Sequence, residues 1–239
     1  MKIKVTYIEH DYSRLPEVTK ELEVTPSKVA LLLVDCQNDF LHEKGMFGAK
    51  GADVAAARRM IEPTRRVADA CRKAGIRVFY TNNSFRPDLV DMGKAWAEVY
   101  LRTRAPIGPG DRVGPSGQNT GYLVEGRWNT QFVDELTPCE GDIVISRKHT
   151  HSAFYYTDLD FILKNLGIEL VMYAGITTGV CVGSSIRDGF HSQFVALLLK
   201  DCCWEFTPEL QAATEMFVKM HFGYVTTSEE VLKGLAANV

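Results

Sequence analysis

VALLLVD, residues 29–35, is an apolar run closed by an aspartate. Six aliphatic residues in succession leave no polar face, so the run predicts a strand buried on both sides, as in a parallel sheet. Working outward, residues 53–74 predict a helix in two pieces, because Pro63 suits the first turn of a second piece better than the interior of one long helix. Gly75 ends it, and residues 76–81 (IRVFYT) form a second strand. Residues 142–146 (DIVIS) form a third. Residues 157–166 (TDLDFILKNL) predict a helix capped by Thr157 and stopped at Gly167. A fourth strand over 168–174 (IELVMYA), a helix over 181–190 and a fifth strand over 193–200 (QFVALLLK) follow. Thr207 and Pro208 open a helix over 208–221. Residues 224–226 form a short sixth strand, and Thr227 with Glu230 makes a capping box for the last helix. Strands alternating with helices predict an α/β fold with a parallel sheet and helices on both faces. Residues 1–239 then form one domain. Residues 85–128, rich in glycine and proline and with a helical piece at 93–102, are expected to be an insertion folding over the site.

Composition excludes several functions. Among 239 residues, 46% are hydrophobic and 24% charged, with a formal net charge of −3. That charge argues against nucleic acid as a partner, because phosphate binding needs a basic surface. No apolar run approaches the roughly 18 residues that span a bilayer. Glu9, His10 and Asp11 stand where a signal peptide needs its apolar region, so a cytoplasmic protein is expected. The six cysteines (36, 71, 139, 181, 202 and 203) include no CxxC pair, which disfavours a zinc or redox site. Free cysteines are most often buried packing residues.

Ligands of parallel sheets bind outside the C-terminal ends of the strands. Asp35 closes the first strand, Asn82 follows the second, Lys148 follows the third and Cys181 follows the fourth through the turn GITTGV. A buried aspartate needs a partner, and Lys148 is the best-placed cation. Cys181 is expected at a helix N-terminus, where free N–H groups and a nearby lysine favour the thiolate. Each residue alone has a plainer reading: a structural strand end, a solvated lysine, a buried helix cysteine. Together they fit an activated nucleophile with a proton acceptor.

VDCQNDF around Asp35, RKHTHSAF around Lys148 and AGITTGVCVGSSIRDG around Cys181 resemble the isochorismatase-like cysteine hydrolases. The resemblance extends over roughly residues 28–235. It implies a doubly wound six-stranded parallel sheet of order 3-2-1-4-5-6. With that order the Lys148 strand need not lie beside Asp35, and the RKHTHSAF loop has to fold back across the sheet edge to bring the ammonium near Cys181. The resemblance further implies an Asp35–Lys148–Cys181 triad, a cis Ile176–Thr177 peptide, and an oxyanion hole from the Thr177 and Cys181 N–H groups. It implies an amidohydrolase that needs no cofactor, works through a thioester, and forms a homodimer or homotetramer. The segment TNNSFRPD after the second strand lacks the histidine of the nicotinamidase metal site, so no metal is expected. The sequence looks most like the biuret and ureidoacrylate branch, whose small substrates are rich in carbonyl and N–H groups. Phe40 is expected as a wall of the site, and Asn82, Arg86, His151, Thr178 and His221 as substrate contacts. The alternatives are a non-catalytic small-ligand-binding relative or an amidase for another carboxamide such as maleamate or nicotinamide.

Overall fold

The structure, a computed structural model, describes residues 1–9, 13–94, 108–113 and 119–237. Its main sheet has eight strands: β1 (Lys2–Ile8), β2 (Glu17–Glu23), β3 (Val29–Val34), β4 (Arg77–Asn83), β7 (Ile143–Lys148), β8 (Leu170–Ile176), β9 (Val195–Trp204) and β10 (Gly223–Thr226). The order is β2-β1-β10-β9-β8-β3-β4-β7. β5 (Gly108–Val113) and β6 (Asn119–Tyr122) form a separate antiparallel pair. The helices are α1 (Asn38–Leu41), α2 (Met46–Ala49), α3 (Val54–Ala57), α4 (Ile61–Lys73), α5 (Leu159–Asn165), α6 (Gly183–His191), α7 (Pro208–Phe217) and α8 (Ser228–Ala236).

The six predicted strands are β3, β4, β7, β8, β9 and β10, parallel and in the predicted 3-2-1-4-5-6 order. The other two strands, β1 and β2, extend the β10 edge in antiparallel fashion. A search for continuous apolar runs passes over them. β1 instead alternates, burying Ile3, Val5 and Ile8 and leaving Lys2 and Lys4 exposed, the signature of a half-buried strand.

β3 shows how the sheet divides the core. Leu31 and Leu33 pack with Val67 and Cys71 of α4 and Val231 and Leu235 of α8. Ala30, Leu32 and Val34 face Leu159 and Leu163 of α5 and Ile186 of α6. Successive residues of a strand point to opposite faces, so helices cover both. Among the described residues no helix is long and apolar enough to cross a membrane.

Several boundaries move. The predicted two-piece helix is α3, a 3₁₀ turn at Arg58–Met60, and α4. Pro63 is the third residue of α4, where its missing N–H costs no intrahelical bond. α5 starts at Leu159 with Asp158 as its cap residue, and the Thr157 hydroxyl accepts from Leu159 N. The helix expected from Cys181 opens earlier, as a π-helical turn over Thr178–Val182 that continues into α6. The helix predicted over 208–221 divides into α7 and a π turn at Val218–Phe222. The helical piece expected at 93–102 lies mostly outside the described residues. Both ends of the 85–128 segment are anchored: Phe85 N donates to Leu123 O, and Phe85, Leu123 and Val124 are buried.

Candidate active site

Four strands run past their predicted ends, one of them β8, which reaches Ile176. β4 extends to Asn83, β7 to Lys148 and β9 to Trp204. The extra residues of β4 and β7 are polar, and they lie where the strand ends gather around a site.

Asp35 leaves β3 with φ of 57°, in the left-handed region that aspartate tolerates better than most residues. Its N–H donates to Thr81 O at 2.9 Å, and the Thr81 hydroxyl donates to Asp35 Oδ1 at 3.2 Å. The carboxylate is fully buried. Beside it, Gly175 has φ of +128°, and a Cβ there would lie 2.1 Å from Val34 O. Only glycine lets β8 approach β3 this closely.

Lys148 lies two strands away from β3, on the sheet edge. It needs no loop folded back. β7 continues through it, with Lys148 paired to Asn83 after a register shift. Arg147 has φ of 61°, and both Ser146 and Arg147 are exposed before Lys148 turns inward. This is a bulge: one extra residue resets the alternation of faces. The buried ammonium reaches across the end of β4, and its Nζ lies 2.6 Å from Asp35 Oδ2.

Cys181 sits in the π turn after β8, buried, and its thiol interacts with both Asp35 and Lys148. The Ile176–Thr177 peptide is cis. The turn is held from outside by Glu205, whose Oε2 accepts from Gly179 N at 2.7 Å, and by the Thr178 hydroxyl, which donates to Gln211 Oε1 at 2.6 Å.

The electrostatics differ from the expected standing thiolate. Burial pushes the Cys181 thiol well above its ordinary range; Lys148 pulls it down by less, and Asp35 adds to the rise. The resting cysteine is therefore protonated at neutral pH. Burial also raises Asp35, against the opposing pull of Lys148. Burial penalises the Lys148 ammonium, but the charge of Asp35 beside it opposes that penalty, and on balance Lys148 is raised and stays charged. A carboxylate made more basic by burial, beside a fixed cation and a thiol, can accept the thiol proton as a new bond forms at sulfur.

The cavity above Cys181 has a volume of about 530 Å³. Phe40, Asn83, His151, Thr177 and Phe206 are among its walls. His151 Nδ1 lies 3.8 Å from Cys181 Sγ. Burial, followed by the nearby Lys148 charge, lowers this imidazole to about 4, so it is neutral at pH 7.

Phe40 and His151 thus border the cavity as expected. Asn82 does not: its amide donates to Thr130 O at 2.8 Å on the other face of β4. Its neighbour Asn83 takes the place, since Thr81 and Asn83 share the face turned to Asp35. Gln37 holds the Asn83 backbone in place, accepting from its N–H at 2.7 Å and donating to its C=O at 3.1 Å. The Asn83 side chain is fully buried, and neither of its polar atoms has a partner among the described residues. Arg86 is exposed and paired with Asp88 at 3.2 Å, away from the cavity. Thr178 is buried beneath the π turn, its hydroxyl committed to Gln211. His221 lines a different hollow, with Tyr7, Phe190 and Tyr224. Asp39 is structural: it accepts from Met46 N, Leu123 N and the Asn129 amide at 2.6–3.1 Å. Among the described residues no three His, Cys, Asp or Glu side chains are grouped to hold a metal ion. Of the six cysteines, all are free and only Cys139 is exposed.

Comparison with known proteins identifies the family and the fold. The model of the isochorismatase domain matches residues 29–230, and the chain belongs to the isochorismatase family. It is 35% identical over 214 residues to the ureidoacrylate amidohydrolase RutB of Rhizobium rhizogenes, covering 89% of this chain and 85% of that one. It is 33% identical to RutB of Klebsiella pneumoniae, covering 93% of each. Among solved structures, a cysteine hydrolase from Pseudomonas syringae pv. phaseolicola has the same fold, with a TM-score of 0.76 at 21% identity and coverage of 91% and 97%. The N-carbamoylsarcosine amidase of Thermoplasma acidophilum gives a TM-score of 0.64 at 25% identity, covering 84% of this chain and 97% of that one.

Proposed function

We propose that this chain is a cysteine amidohydrolase acting on a ureido or carboxamide compound, with Asp35, Lys148 and Cys181 as its triad. The observation that carries the reading is the buried Lys148–Asp35 pair at 2.6 Å, touching a buried thiol at the wall of a cavity. A charge pair with no access to water is costly unless it serves a purpose such as moving a proton.

Cys181 Sγ attacks the substrate carbonyl as Asp35 takes the thiol proton, and Lys148 stabilises the negative charge passing through sulfur. The Thr177 and Cys181 N–H groups form the oxyanion hole for the tetrahedral intermediate. Asp35 returns the proton to the leaving nitrogen, and ammonia departs. Water, deprotonated by Asp35, then cleaves the thioester. The Asn83 amide, unpartnered and turned to the cavity, supplies one donor and one acceptor to the N–H and C=O groups of the substrate. The similarity to ureidoacrylate amidohydrolases and to an N-carbamoylsarcosine amidase supports the ureido class.

The test is ammonia release from ureidoacrylate, biuret, N-carbamoyl amino acids and simple carboxamides, run beside Cys181→Ser. The expected loss in the variant is about 10³-fold or more. Equal activity in the variant refutes nucleophilic catalysis by Cys181. Intact-mass detection of an acyl-enzyme in acid-quenched wild type during turnover checks the thioester step; no such adduct with any turned-over substrate refutes it.

A further inference from the structure

A ureido group is small, and the Cys181 cavity is not. At about 530 Å³ it falls within the range of sites for drug-sized ligands. Its polar groups gather at the Cys181 end: Asn83, His151 and Thr177. The remainder is an aromatic wall. Phe40 and Phe47 have ring centroids 4.7 Å apart and Phe47 and Phe206 5.0 Å, each pair inclined, and Trp204, outside the cavity, backs Phe206 at 5.1 Å. Phe206 is half-exposed at this wall, and Met46 and Val180 complete its apolar lining. Phe40 is buried and Phe47 partly so, which leaves the half-exposed Phe206 ring as the apolar surface of this wall that a flat ligand would cover. Among the described lining residues Lys50 is the one cation; it is exposed, and screening weakens an exposed charge as an anchor for a carboxylate.

We infer that this site selects ureido or carboxamide substrates carrying a flat apolar substituent, which stacks along Phe40, Phe47 and Phe206 while the scissile carbonyl meets Cys181. The inference rests on the function proposed above and specifies its substrate class. Benzylurea is the simplest probe. The Cys181 S–C bond forms and the C–NH₂ bond breaks, releasing ammonia and leaving an S-(benzylcarbamoyl) enzyme. Water cleaves the S–C bond, and the resulting N-benzylcarbamic acid loses carbon dioxide to give benzylamine.

The matched comparison is benzylurea against N-carbamoylglycine, which share the reacting group and differ in phenyl against carboxylate. The expected kcat/KM ratio favours benzylurea by about tenfold to a hundredfold, from apolar burial on one side and carboxylate desolvation on the other. The ratio is expected to fall toward one in Phe206→Ala, whose half-exposed ring can be removed without opening the core. A ratio at or below one in the wild type overturns the inference. A second readout needs no turnover: the rate at which Cys181 is alkylated by N-benzyl iodoacetamide relative to iodoacetate and iodoacetamide. An aromatic preference that shrinks in Phe206→Ala supports the inference; equal rates overturn it. No ammonia from either urea or from any member of the panel above, with the labelling preference intact, overturns the hydrolase reading and leaves the selectivity of the cavity standing.

Discussion

Lys148→Met tests the buried charge pair through stability alone. The variant keeps the length and apolar stem of the side chain and removes the ammonium that lies 2.6 Å from Asp35. Asp35 is then a fully buried carboxyl with only the Thr81 hydroxyl and the Cys181 thiol as side-chain partners. Removing one member of a buried pair costs about 3–5 kcal/mol when the other stays charged. Asp35 can avoid that cost by taking up a proton. Its folded-state proton affinity is already raised by burial, and Lys148 opposes the rise in the wild type, so the variant raises it further. Between the unfolded and folded values the native state binds the extra proton. Its stability is therefore fully present below the unfolded value near 4, and falls as pH rises toward the folded one. Each pH unit within that window is worth about 1.4 kcal/mol. Urea unfolding at pH 5 and pH 8 is the assay: the gap between wild type and Lys148→Met widens at pH 8. Asp35→Asn combined with Lys148→Met removes the titrating group, so the pH-dependent part of the gap disappears. A gap equal at both pH values, or a double variant with the same pH dependence as the single one, refutes the reasoning.

His151 is expected to stay neutral down to about pH 4, so its ring resonances hold flat between pH 5 and 8; a midpoint near 6.5 by NMR would contradict its burial. Because its proton affinity is lowered on folding, its contribution to stability is present above pH 6.5 and is lost as pH falls toward 4. Iodoacetamide followed by peptide mapping should modify exposed Cys139 ahead of the five buried cysteines, and labelling of Cys181 should accelerate with pH, since burial holds its thiol protonated. Gly175→Ala places a Cβ 2.1 Å from Val34 O at φ of +128° and should cost about 3 kcal/mol or more in denaturant unfolding; a loss within 0.5 kcal/mol would show that β3 and β8 are free to separate.

What the sequence made legible follows the physics of burial. VALLLVD announced a strand with two dry faces, and β3 is the strand from which the core divides. The six parallel strands and the three residues of the charge cluster could all be read because each follows an apolar run. Residues whose placement depends on parity were harder to read. Asn82 and Asn83 are chemically identical, and only the length and register of β4 decide which one meets the cavity. β1 was missed because alternation along a short, lysine-rich segment is a weak signal. The state of Cys181 was misjudged from local sequence because the desolvation that raises it comes from the whole surrounding core. Arg86 and His221 suited substrate recognition by chemistry, but only tertiary structure could place them away from the cavity.

The bulge before Lys148 gives the site an unusual sensitivity. The inward aim of the lysine breaks simple alternation: Ile145 faces in, two residues face out, and Lys148 faces in again. With two residues between Ile145 and Lys148, a regular strand would turn the lysine to solvent; the bulge, with Arg147 at φ of 61°, is what restores its inward aim. The aim of the lysine therefore depends on a left-handed backbone conformation at residue 147, which β-branched side chains resist. A β-branched substitution at exposed residue 147 would strain that bulge and disturb the site without altering any residue that touches it.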